Sequence, residues 1–171
     1  DYLIGDRLGH LSNLYGEDIS QWTDERKAGL RGENVGERPG YAQIGLLAKD
    51  THYMHSYKHK FMPGSLTTPK FRQSGKLNLT FKAMAFAIFD STRNCDDHSG
   101  DSTEITVEVL GGGTIDGETT VTVSELPYNA FETFSLQILD ATEETYLRFS
   151  SKTSEEKIFA RWFIDDITIT K

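Results

Sequence analysis

A chain of 171 residues fits one domain with a sizeable core, whereas two domains would each be marginal. Fifteen glycines, an 11% aromatic share and little helix-period patterning suit short strands joined by turns, so the expected class is all-β. The formal charge of -8 argues against nucleic acid or anionic membrane as partners, no apolar run nears the roughly 20 residues that span a bilayer, and Cys95, alone in an acidic stretch, allows no internal disulfide.

Residues 1–40 are the least regular part, punctuated by Gly5, Gly9, Gly16, Gly29, Gly32, Gly36 and Gly40, and only short strands fit there. The first residue, Asp1, reads as the start of a processed form or an excised piece. Trp22, among polar residues, reads either as a platform for a sugar ring or as an aromatic covering one end of the core. Tyr41 to Leu47 reads as a strand entered from the Pro39-Gly40 turn.

An insertion at 50–62 then changes the character of the chain: Thr51 to Phe61 holds three of the five histidines and three aromatics. His52, His55 and His59 have a spacing that on a helix would set three imidazoles on one face, as a zinc site might. The flanking elements read as strands, which favours a solvated loop or long hairpin. Tyr53 and Tyr57, with His55 and His59 as donors, make this insertion the expected ligand site, because tyrosine rings stack on the apolar faces of sugars.

Ser65 to Pro69 is short, extended and ended by proline, as an edge strand would be. Lys76 to Phe89 is the longest apolar segment. Leu77, Leu79 and Phe81 face one way, while the second half is apolar on both faces, which marks a central strand whose outer face becomes covered by the N-terminal loops or the insertion. After the polar loop Asp90 to Ser102, four strands are centred on Ile105 to Val109, Val121 to Val123, Phe134 to Ile138 and Tyr146 to Phe149, with Arg148 outward. The last strand runs through Ile158 to Thr170. Strict alternation there would bury Asp165 beside Phe163 and Ile167 at a cost of several kcal/mol or more, roughly. A bulge at Asp165 and Asp166 is therefore predicted; it brings Ile164, Ile167 and Ile169 to the core and turns a carboxylate toward a donor or a cation. About eight to ten such strands predict a two-sheet antiparallel sandwich.

The ordered set Gly64 to Phe71, Lys76 to Phe81, Phe131 to Ile138, Thr145 to Phe149 and Arg161 to Ile169 resembles the MAM-like jelly rolls, above all the bacterial cleaved-adhesin and choice-of-anchor group of surface and secreted proteins. The resemblance covers roughly Tyr41 to Lys171 and implies a galactose-binding-like jelly roll, extracellular or at the cell surface, working without catalysis in adhesion or as a module that holds a glycan or a surface protein. Animal MAM domains carry disulfides, and with Cys95 alone this chain departs from them. The resemblance also implies a structural calcium between the N-terminal segment and the last strand, with Asp166, Glu17 and Asp18 as ligands. The Asp pair reads equally as an acceptor of backbone hydrogen bonds at the bulge.

An enzyme finds little support in the residues. There is no G-x-S-x-G elbow and no H-E-x-x-H, and Gly32 to Glu37 lacks the Lys-Ser/Thr end of a phosphate loop. A glycoside hydrolase needs two carboxylates across a cleft, and with 26 acidic residues some pair can always be nominated. The expected function is a non-catalytic binding module, with a structural or assembly domain as the alternative and a hydrolase as the distant one.

Overall fold

The structure, a computed structural model, describes residues 28–38, 40–49, 59–86, 101–128, 130–152 and 160–171, with only the backbone described at 37, 47–49 and 59–61. Trp22, Cys95 and most of the histidine-rich insertion lie outside the described residues. Short strands come first, as the glycine-punctuated sequence requires: β1 (Arg31–Glu33), β2 (Val35–Arg38), β3 (Tyr41–Ile44), β4 (Leu46–Lys49), β5 (His59–Met62) and β6 (Ser65–Thr67). Then follow β7 (Gly75–Ala85), β8 (Ile105–Leu110), the two-residue β9 (Thr114–Ile115), β10 (Thr120–Val123), β11 (Glu132–Ala141), β12 (Tyr146–Ser151) and β13 (Trp162–Thr170). These thirteen exceed the eight to ten expected, because brief pairings such as β1, β4 and β9 carry too few side chains to show a period.

Five strands form one sheet in the order β1-β6-β12-β8-β10, six form the other as β2-β3-β13-β7-β11-β9, and β4 pairs with β5 apart from both. From β6 onward the chain alternates between the two sheets at every step, which is the winding of a jelly roll. The core lies between them: Leu77, Leu79 and Phe81 of β7, Val107 and Val109 of β8, Leu147 and Phe149 of β12, and Trp162 and Ile164 of β13 are all buried. Each such aliphatic or aromatic side chain contributes about 1.5–3 kcal/mol on burial.

The predicted bulge is present. Asp165 stands opposite Lys82 and Thr168 opposite Thr80, so Asp166 and Ile167 together face Phe81. Asp166 absorbs the extra residue at φ +49, a left-handed conformation that Asp tolerates better than most residues. Ile164 before it and Ile167 and Ile169 after it all pack against the same core, although their positions differ by an odd number. A second bulge, in β11 between Ile138 and Ala141, works the same way with Asp140 at φ +54.

Two expectations are corrected. The segment Ser65 to Pro69 is not an edge: β6 lies between β12 and β1, which pairs with its free side through Arg31, Gly32 and Glu33, and Pro69 falls just past the strand where no ladder bond is needed. The strand expected over Tyr41 to Leu47 is broken at Gly45 (φ +83), so that β3 stays in the six-stranded sheet while β4 leaves it to pair with β5. As expected, β7 is central and its second half is covered, though among the described residues the cover comes from β3, β13 and the approach to β11, not from the N-terminal loops or the insertion. The cover on Met84 and Phe86 includes Phe163, Tyr41 and Phe131.

Candidate functional site

The outer face of the five-stranded sheet is where the described polar side chains converge. Its strands alternate strictly, with Leu147 and Phe149 inward and Tyr146, Arg148 and Ser150 outward on β12, and with Thr106 and Glu108 outward on β8. Register then lines up two cross-strand rows: Arg31, Thr67, Arg148, Glu108 and Thr120 in one, and Glu33, Ser65, Ser150, Thr106 and Thr122 in the next. Neighbouring members of a row sit about 4.8 Å apart, the spacing of paired strands.

Two depressions of about 330 Å³ each open on this face. One is lined by Arg31, Thr68, Lys70 and Tyr146; the Arg31 guanidinium stands over the Tyr146 ring, 5.7 Å from its centroid. The other is lined by Glu33, Ser65, Glu108, Arg148 and Ser150. Arg148 Nε donates to Glu108 Oε2 at 2.8 Å, Lys152 pairs with Glu104 at 3.2 Å, and Lys70 is paired with Glu144. Such exposed pairs contribute about 0–1 kcal/mol each, so they orient side chains more than they hold the fold. The rows offer hydroxyls, guanidinium forks and carboxylates, and Tyr146 beside them adds one half-buried aromatic ring, the complement of a sugar's hydroxyl edges and apolar face.

The second depression also contains Pro63 and Gly64, where β5 runs into β6. A Cβ on Gly64 would lie 2.3 Å from the Gly45 nitrogen and 2.6 Å from the Asn34 carbonyl, so only glycine lets the three chain segments meet here. Asn34 Nδ2 donates to the Pro63 carbonyl at 2.9 Å and Gly45 N to the Asn34 carbonyl at 3.0 Å, which fastens the β4–β5 hairpin to this corner of the face. The β4–β5 ladder, which borders the histidine-rich insertion at Lys49 and His59, is therefore rooted at the rim of the candidate site. Of the insertion's expected ligands, His59 lies on β5 opposite Lys49, while Tyr53, His55 and Tyr57 lie outside the described residues.

Of the three residues expected around a calcium, Glu17 and Asp18 lie outside the described residues. Asp166 is exposed, and its Oδ2 accepts from Lys82 Nζ at 2.7 Å; the hydrogen bond and the charge of Asp166 hold the Lys82 ammonium above its ordinary pKa. Asp165 Oδ1 accepts the backbone N–H of Asp166 at 2.8 Å. The pair thus divides its work between a backbone donor and an ammonium. Among the described residues no three His, Cys, Asp or Glu side chains come together as a metal group, and calcium asks for 6–8 oxygens in general.

Sequence reasoning missed Tyr146, Arg31 and Glu33 as site residues. The alternation on β12 pointed Arg148 outward, but that Arg31 lies two strands away in the same row depends on a pairing of β1 with β6 that nothing local announces.

No protein-family model matches the chain, and no curated protein does. Among solved structures it is similar to the C-terminal CBM6 of LamC, a laminarinase from the marine Zobellia galactanivorans, at 16% identity over 82% of this chain and 91% of that one, with a TM-score of 0.46. It is similar also to the K1 cleaved adhesin domain of Lys-gingipain from Porphyromonas gingivalis, at 12% identity over 90% and 95%, TM-score 0.44. A third is the N-terminal cellulose-binding domain of β-1,4-glucanase C from Cellulomonas fimi, at 14% identity over 91% and 94%, TM-score 0.41.

Proposed function

We propose that this chain is a non-catalytic carbohydrate-binding module of a secreted or cell-surface protein, and that the outer face of its five-stranded sheet holds the glycan. One observation carries the reading: the two rows of polar side chains across β1, β6, β12 and β8 meet two depressions, one lined by Arg148 and the other by Tyr146, which lie two residues apart on the outward side of β12. A polysaccharide chain is long, hydroxylated and narrow, and a strip of hydrogen-bonding side chains with an aromatic ring at one end matches it. The resemblance of the sequence to surface and secreted jelly rolls supports the extracellular setting. The carboxylates of the second depression, Glu33 and Glu108, stand at the surface, and Glu108 is committed to Arg148, which suits recognition of hydroxyls better than hydrolysis.

Affinity electrophoresis on gels containing neutral and acidic polysaccharides tests this. Retardation is expected on at least one polymer, with Tyr146→Ala weakening it about tenfold, or about 1.4 kcal/mol. Retardation lost with Tyr53→Ala and Tyr57→Ala but kept with Tyr146→Ala would move the site from the sheet to the insertion. No retardation on any polymer sinks the binding module and leaves a structural domain.

A further inference from the structure

We infer that the face selects a glycan in which an acidic sugar is flanked by neutral ones, with the sugar carboxylate on Arg31 and a neutral neighbour beside Glu33. This rests on the reading that the face binds glycans. The argument begins with the partners of its charges. Arg148 is paired with Glu108, Lys152 with Glu104 and Lys70 with Glu144. Arg31, exposed on β1, has no carboxylate partner among the described residues; its one described contact is the Tyr146 ring. A guanidinium carries its donors in a planar fork that fits a carboxylate with two parallel hydrogen bonds. Tyr146, in the same depression, supplies an apolar surface for the ring that bears the carboxylate, while Lys70 beside it is already met by Glu144. The depression is built for an anion with an apolar side.

Glu33 imposes the second half of the specificity. It has no cationic partner among the described residues, and it lines the other depression with Ser65 and Ser150. A carboxylate there accepts sugar hydroxyls and repels a second carboxylate. Arg31 and Glu33 are both exposed on β1 and share its outer face, two residues apart, or about 7 Å along the strand. That separation is within a Debye length at physiological salt, so repulsion at Glu33 is felt by the next residue of a chain anchored at Arg31. The overall charge of -8 acts in the same direction against a polymer charged at every sugar.

The test is isothermal titration of the full chain with alternating acidic and neutral polymers (hyaluronate, unsulfated chondroitin, heparosan), their carboxyl-reduced forms, polygalacturonate and a neutral glucan, at low and high salt. At least one alternating polymer should bind tenfold or more tighter than its carboxyl-reduced form and than polygalacturonate, with the preference falling as salt rises. Arg31→Gln should erase the preference for the carboxylated form. Glu33→Gln should raise the affinity for polygalacturonate, and since a gain of binding does not follow from misfolding, that arm keeps the idea testable if Arg31→Gln disturbs the edge strand. Equal binding of reduced and carboxylated polymers, or an Arg31→Gln variant that keeps the preference, overturns the inference while the glycan-binding reading stands. No binding to any polymer, the neutral glucan included, overturns both.

Discussion

Asp101 and Arg161 form the one described ion pair that is fully buried, at 4% and 1% exposure. Arg161 Nε and Nη2 each reach an Asp101 oxygen at 2.7 Å, the backbone N–H of Arg161 adds a third bond at 2.8 Å, and the guanidinium lies 4.0 Å from the centroid of Phe86. Tyr128 Oη donates to the Asp101 carbonyl at 2.9 Å, so the entries to β8, β11 and β13 are gathered at one point. Asp101→Ala takes three hydrogen bonds from a buried guanidinium and backbone N–H at once and should lower stability by about 3–5 kcal/mol in urea unfolding. Sequence reasoning placed Asp101 in a polar loop, since nothing local ties it to a residue 60 positions away. Two surface-side groups give a pH signature. Burial and then the charge of Asp101 push the Tyr128 phenol above its ordinary value of 10.0, and Asp166 holds Lys82 above 10.5. Both bind their proton more tightly folded than unfolded, so their contribution is complete below about pH 10 and is lost as pH rises through the folded pKa values. Unfolding midpoints should drop above pH 10, and Tyr128→Phe with Lys82→Met should flatten the drop. Lys82 also competes with any cation at Asp166. Melting in chelator should therefore match melting in calcium, whereas a rise of several degrees with calcium would show the carboxylate transferred from lysine to metal.

At the scale of the element, the bulge in β13 decides which side chains reach the core. Its need was legible because Asp165 and Ile167 cannot share a buried face, and the structure meets that need with a left-handed Asp166. The bulge in β11 was not read, although the same logic applies: strict alternation would set Asp140 on the face of Leu136 and Ile138, and the alternation resumes out of step at Ala141. The conformation can be tested separately from the charge. Asp166→Asn and Asp166→Val both remove the exposed ion pair with Lys82, but a β-branched residue resists positive φ. Asp166→Val should be less stable than Asp166→Asn by about 1–2 kcal/mol in denaturant unfolding. Equal stabilities would mean that the bulge relaxes out of the left-handed region. The same logic explains Gly111, at φ +76, where a Cβ would lie 2.0 Å from the Glu144 carbonyl oxygen.

For the whole molecule, the division of each strand into an inward and an outward set separates stability from recognition. That division was legible wherever period two ran for several residues, as in Leu77, Leu79 and Phe81 or in Leu147 and Phe149, because burial and alternation are local. The recognition face was not, because it is assembled by register among β1, β6, β12 and β8, whose members are distant in sequence and whose outward residues follow no pattern beyond being polar. Adjacent residues on β12 make the separation measurable. Leu147 is completely buried between the sheets, and Leu147→Ala should cost about 2–5 kcal/mol in stability through lost burial and the cavity left behind. Tyr146, one step along, points out beside Arg31; Tyr146→Ala should cost about 1 kcal/mol or less in stability, as surface substitutions usually do. Its effect should instead be on glycan affinity. Measuring both quantities on both variants distinguishes a binding face from a merely solvated one: if Tyr146→Ala leaves stability and affinity alike unmoved, the outer face of the five-stranded sheet has no part in recognition, and the insertion bordered by the β4–β5 ladder becomes the place to look.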